Sequence, residues 1–85
     1  MTLVAVSGAN GFTGRYVCEE LRRRKIPFVA LLRPGNDDSW MSARNFQVRY
    51  ADLEDVHQLA QQLYGCSALI NVASVSYTHL RAHET

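Results

Sequence analysis

Three glycines at three-residue intervals, Gly8, Gly11 and Gly14, close one apolar run and open another of different period, and this junction restricts the fold more than any other feature. Thr2 to Ser7 is short, apolar and rich in β-branched residues, the make-up of a buried strand. Gly14, Val17, Cys18 and Leu21 then fall at i, i+3, i+4 and i+7, the stripe of a helix packed on a sheet. Each glycine has its own duty: Gly8 lets the chain turn sharply out of the strand, Gly11 lets backbone approach a ligand with no β-carbon in the way, and Gly14 lets the helix lie close to the sheet. N–H groups of the first helical turn, around Phe12 and Thr13, face outward at the positive end of the helix dipole; Thr13 adds a hydroxyl donor, and Asn10 belongs to the same loop. A junction of this kind cradles a diphosphate through main-chain amides. With a second strand about twenty residues on, it predicts a dinucleotide site.

The rest of the chain alternates in the same manner. Ile26-Pro27 ends the first helix, and Phe28 to Leu32 reads as strand two. Residues 33 to 39 are dense in turn formers, Trp40 to Asn45 holds at most one helical turn, and Phe46 to Tyr50 reads as strand three. Asp52 is a good N-cap with Asp55 three positions on; Val56, Leu59, Ala60 and Leu63 supply the next helical face, Gly65 its C-terminal cap, and Ala68 to Ala73 strand four. The expected fold class is α/β: a partial doubly wound (Rossmann) parallel sheet of about four strands in the order 3-2-1-4, with right-handed crossovers. A complete two-half fold of this plan does not fit into 85 residues, so residues 1 to 75 are expected to be a truncated dinucleotide-binding domain.

A formal net charge of +1 gives no ground for a nucleic-acid or other polyanionic partner. The one basic cluster, Arg22-Arg23-Arg24-Lys25, falls where cations complement a helix C-terminus. No apolar run is long enough for a membrane span, no secretion signal opens the chain, and Cys18 and Cys66 form no Cys-x-x-Cys, so a cytoplasmic location with reduced thiols is expected. From about Val75 the pattern breaks down. Residues 76 to 85 resemble a translated sequencing-adapter tail and are set aside as non-native, together with the accidental His79-x-x-x-His83 spacing; no metal site is expected.

The glycine triplet with Gly11-Phe12-Thr13-Gly14 inside it resembles the extended and atypical short-chain dehydrogenase/reductase superfamily, over residues 2 to about 75. The resemblance implies a nicotinamide dinucleotide as partner and a small-molecule substrate in an intact parent. Arg33 follows strand two, where the adenosine ribose would lie; a guanidinium there pairs with a 2′-phosphate and favours NADP, with NAD still possible. Asp37 and Asp38, a few residues beyond Pro34-Gly35, are the competing candidates for a ribose hydroxyl. Asp52-Leu53 resembles the family's adenine clamp, while Asp52 also reads as a helix cap, and both can hold. Asn71-Val72-Ala73 resembles the strand-four ending that lies along ribose and adenine, although Val72 and Ala73 would look the same as core packing alone.

The superfamily's catalytic pair, a Tyr with a Lys four residues later, has no counterpart here: Lys25 is the only lysine, and Tyr77-x-x-x-Arg81 only mimics the spacing. No catalytic residue is assigned. Two functions are carried forward, a cofactor-binding N-terminal part of an NADP(H)-dependent reductase, epimerase or dehydratase, and a non-catalytic dinucleotide-sensing regulator of the atypical group. Oligomeric state is not legible.

Overall fold

The computed structural model describes residues 3 to 72 and the backbone of residues 76 to 79. Ala73 and the side chains from there on, including those of Tyr77, His79, Arg81 and His83, lie outside the described residues. Four strands, β1 (Val4–Ser7), β2 (Phe28–Leu32), β3 (Val48–Tyr50) and β4 (Ala68–Asn71), pair in parallel in the order β3-β2-β1-β4. The expected architecture is present, with one addition. β5 (Ser76–His79) pairs antiparallel with β4, from the segment that the sequence reading set aside. An edge strand offers unpaired N–H and C=O groups to any extended segment that returns beside it, and that pairing does not read side chains; β5 takes this place beside β4.

Alternation along β1 sends side chains to both faces of the sheet. Val4 and Val6 join Ala9, Cys18, Leu21, Ala30, Leu32 and Met41 beneath α1 (Phe12–Arg23) and α2 (Ser39–Ala43). Ala5, Val29 and Leu31 face the other way, where Leu59 and Leu63 of the α3 (Val56–Gln62) segment pack on them. This second layer is thin, because Val56, expected on the buried face, is 74% exposed, and Ala60 is exposed as well. Trp40, Phe46 and Phe28 close one rim of the first layer by edge-to-face contacts, at 5.7 and 5.0 Å between ring centroids.

Helix ends explain the boundaries. α1 stops one turn before Pro27, with Lys25 in the left-handed region (φ 58°), Ile26 N–H donating to the Leu21 carbonyl (2.9 Å) and Lys25 N–H to that of Arg22 (3.0 Å). This is a Schellman cap formed without glycine, and Asn45 ends α2 in the same way. Arg23 and Arg24 both bond the Glu20 carboxylate, which holds its pKa down at about 2, and Arg22 faces Glu19 at 3.9 Å. α3 begins three residues later than expected. Asp55, not Asp52, is its N-cap, with Oδ1 accepting from Gln58 N–H at 3.1 Å. Asp52 instead closes its own turn, accepting from Glu54 N–H at 3.0 Å, and its N–H donates to Gln58 Oε1 at 2.6 Å. Gly65 (φ 85°) reverses the chain beyond that helix.

Two of the loop glycines are under different demands. A β-carbon on Gly14 would lie 2.1 Å from the Gly8 carbonyl oxygen and 2.6 Å from Ala9 Cα, inside backbone that cannot yield, whereas one on Gly11 would meet only Gly8 O, at an ordinary 3.6 Å. Gly14→Ala is therefore expected to lower stability by about 3 kcal/mol, and Gly11→Ala by no more than about 1 kcal/mol, the scale of a changed helix cap; chemical denaturation of the two variants side by side checks the contrast.

Cys18 is fully buried and burial pushes its pKa up to about 12, while Cys66 is half-buried and raised less. Below the ordinary thiol pKa of 9.0 Cys18 is neutral whether the chain is folded or not; above it the unfolded chain ionises first. Stability is thus expected to fall between pH 9 and about 12, and a Cys18→Ala variant to lose much of that slope. At pH 8 an aromatic disulfide reagent should label Cys66 rapidly and Cys18 only on unfolding.

Candidate functional site

β1 and β2 are in register through Ser7 and Leu31, and β1 and β4 through Ser7 and Asn71, so the chain leaves these strands along one edge of the sheet. Ligands of doubly wound sheets bind at this carboxyl-terminal edge. A cleft of about 280 Å³ opens there, and Gly8, Asn10, Gly11, Arg33, Asn36 and Leu53 are among its lining residues. A hollow of about 420 Å³ between Arg22, Phe28, Arg44 and Phe46 lies at the opposite edge, where the strands begin, and does not adjoin the glycine loop.

The floor of the cleft is main chain. Gly8 adopts φ 66°, which only glycine takes without cost, and its carbonyl accepts from Gly11 N–H at 3.2 Å. Gly11 is the N-cap of α1 and has no side chain with which to cap it, so the N–H groups of Phe12 and Thr13 keep the outward direction of a first helical turn. No acidic side chain stands in that turn. The helix thus presents an uncapped, positively polarised end, suited to an anion. Because the protein itself tolerates a β-carbon at Gly11, the want of one there suits close approach by a ligand rather than packing. The Phe12 ring is 94% exposed and stands beside Tyr16 and Trp40, outside the cleft.

Beyond β2 the chain makes a tight turn: Asn36 N–H donates to the Arg33 carbonyl at 3.0 Å across Pro34 and Gly35 (φ 91°), the pattern of a type II turn. Residues i and i+3 of such a turn are neighbours, so Arg33 and Asn36 reach the cleft together. Asn36 was missed in the sequence, although Arg33-Pro34-Gly35-Asn36 carries the turn's signature. The two acids further along are engaged locally. Asp37 Oδ1 accepts from Ser39 N–H (2.9 Å), a bond that with the Ser39 hydroxyl holds its pKa low. Asp38 Oδ2 accepts from Tyr50 OH at 2.6 Å, which raises the tyrosine pKa.

Of the remaining expected residues, Leu53 lines the cleft, while Asp52 lies beside it with one carboxylate oxygen already bonded to Glu54 N–H. Asn71 accepts from the buried Ser7 hydroxyl at 3.0 Å, and Val72 N–H donates to the Ser7 carbonyl at 3.3 Å, fixing the end of β4 beside that of β1. Asn10 faces the cleft, but its side-chain amide is bonded at both ends, to the Asp37 carbonyl (3.0 Å) and Arg15 (2.9 Å). Among the described residues no cluster of His, Cys, Asp or Glu could hold a metal ion, and no helix is long and apolar enough to cross a membrane.

Comparison with known proteins agrees with this geometry. Residues 8 to 84 match a family model described as NAD(P)H-binding. The chloroplastic divinyl chlorophyllide a 8-vinyl-reductase of Oryza sativa subsp. indica is 37% identical over 70 residues, covering 73% of this chain and 17% of the reductase. A nucleoside-diphosphate-sugar epimerase from Pseudomonas aeruginosa superposes with a TM-score of 0.77 at 24% identity, over 87% of this chain and 24% of the epimerase. A protein from Burkholderia cenocepacia, described as an epimerase, gives 0.70 at 22% identity, over 95% of this chain and 26% of its own. At such identities the two structures share the fold alone, and this chain spans about a quarter of their length or less. With a matched span that begins on the first glycine of the loop and covers most of the chain, the chain belongs to the NAD(P)H-binding family.

Proposed function

We propose that the chain is the NADP(H)-binding N-terminal part of a short-chain dehydrogenase/reductase-type oxidoreductase, epimerase or dehydratase, inactive by itself because the catalytic Tyr and Lys belong to the remainder. The observation that carries this reading is the cleft itself, where an uncapped helix end and a glycine loop meet Arg33 and Asn36. Gly8, Gly11, Phe12 and Thr13 hold the diphosphate through backbone, and Gly14 serves the site by seating the helix end against the sheet. Leu53 and Asp52 take the adenine, and Asn71, Val72 and Ala73 border the ribose. When bound, the nicotinamide supplies hydride transfer. This chain's part is to bind it, orient it and keep the pyrophosphate charge neutralised by fixed dipoles.

NADP is favoured over NAD because the side chains that reach the cleft after β2 are a guanidinium and an amide, while both nearby carboxylates are spent on Ser39 and Tyr50. A free carboxylate would be needed to bind ribose hydroxyls and repel a phosphate. The two free thiols accord with a cytoplasmic setting. The sensing-regulator alternative shares every one of these contacts. It separates from the enzyme at the level of the parent reading frame, which for an enzyme encodes Tyr-x-x-x-Lys downstream.

Calorimetric titration of the chain with each dinucleotide tests the assignment. Gly11→Val is expected to abolish binding of both, since a branched side chain fills the path of the diphosphate. Arg33→Ala should weaken NADP by roughly 10- to 100-fold, the loss of charge-assisted hydrogen bonds, and leave NAD nearly unchanged. Equal losses would remove Arg33 from any 2′-phosphate role.

A further inference from the structure

Resting on that reading of the cleft, we propose that Asn10 is a positioning residue for cofactor choice: its side chain ties the glycine loop to the loop after β2 and thereby sets where Arg33 and Asn36 stand. The amide spans the two segments, with Nδ2 donating to the Asp37 carbonyl at 3.0 Å and Oδ1 accepting from Arg15 at 2.9 Å. Arg15 fixes the direction of this bridge. A guanidinium has only donors, so it takes the amide oxygen and leaves the amide nitrogen to face the carbonyl. The guanidinium is itself held over the Trp40 ring, 5.1 Å from its centroid, at the start of α2. Its Nε is buried without a hydrogen-bond partner, and its Nη2 donates to Asn10 Oδ1.

The anchor is tightly packed, whereas residues 33 to 37 of the loop it holds are exposed. Gly14 against Gly8 and Ala9 leaves the glycine loop no room to shift. The Arg33–Asn36 turn is short of packing, since even a β-carbon added to Gly35 would meet nothing within 4 Å. Tyr50, on Asp38, restrains the loop from the β3 side, and Asn10 restrains it from the cleft side. The Asn10 tie therefore sets the distance between the diphosphate cradle and the groups that would meet a 2′-phosphate. NAD has no phosphate at that place and should not sense the loop's position. NADP should.

The test is a double-mutant cycle read by calorimetry with both dinucleotides on the full chain. Asn10→Ala is expected to weaken NADP about tenfold, the scale of one lost hydrogen bond, and to change NAD by less than about twofold. Asn10→Ser, which stays polar but falls short of the Asp37 carbonyl, should behave likewise. Retained NAD affinity reports that each variant is folded with its cradle intact. In an Arg33→Ala background, Asn10→Ala should cost NADP less than about twofold, because the group it positions is gone. Equal losses for both dinucleotides, or full losses that multiply in the double variant, would overturn the proposal while leaving the cofactor assignment standing. Failure of the unmodified chain to bind either dinucleotide would overturn both.

Discussion

The contact between the start of α1 and the turn that leaves β1 decides the rest. Gly14 approaches the Gly8 carbonyl and Ala9 so closely that no side chain fits between them, and this approach sets the helix axis against the sheet. The buried stripe follows from it: Cys18 and Leu21, one and two turns further on, land on Val4, Val6 and Ala30 because the first turn is already pinned. The site follows too. A helix held there aims its N-terminal amides across the carboxyl-terminal edge of the sheet, where Gly8 has turned aside and Gly11 carries nothing to obstruct them. Packing and ligand geometry thus share one cause, although they call on different glycines.

Side chains finish what the backbone begins, and they do so through bonds between segments distant in sequence. The loop after β2 is secured to the glycine loop by Asn10 and to β3 by Tyr50, while Asp37 accepts from the Ser39 N–H at the start of the adjoining α2. These bonds engage one carboxylate oxygen of each acid in the loop. A carboxylate oxygen that accepts from a phenol or a helix N–H has fewer lone pairs left for a ligand's hydroxyls, although the group keeps its charge.

What was legible in the sequence was whatever is set by local geometry or by a repeating apolar pattern. The glycine loop, the parallel order of the four strands and the buried face of α1 belong to this class, because each rests on φ limits or on a period of two or 3.6 residues. The start of α3 did not, since Asp52 and Asp55 are both plausible caps three residues apart. Gln58 decides it by offering its N–H to Asp55 and its side chain to Asp52 N–H. Val56 escaped because the sheet face beneath α3 is small, made of Ala5, Val29, Leu31 and Leu69, and Leu59 and Leu63 already cover it. β5 escaped for another reason: its pairing is made of main-chain hydrogen bonds that no side-chain pattern announces. The Asn10 and Tyr50 ties span 27 and 12 residues and carry no periodic signal at all.

One consequence concerns how such a site tolerates change. Gly14 cannot vary without moving backbone, so its replacement acts on the fold first and on ligands only through it. Gly11 is the reverse case, a position at which the protein is indifferent and any ligand seated on the helix end is not. Asn10 stands between them: it lines the cleft, yet both polar ends of its amide are bonded to protein, which is the ground for the positioning role proposed for it. Within seven residues the loop therefore separates three ways of acting on one ligand, by holding the scaffold, by leaving space and by placing a distant side chain. Each leaves its own signature: in stability, in the affinity for every dinucleotide, or in the preference between two of them.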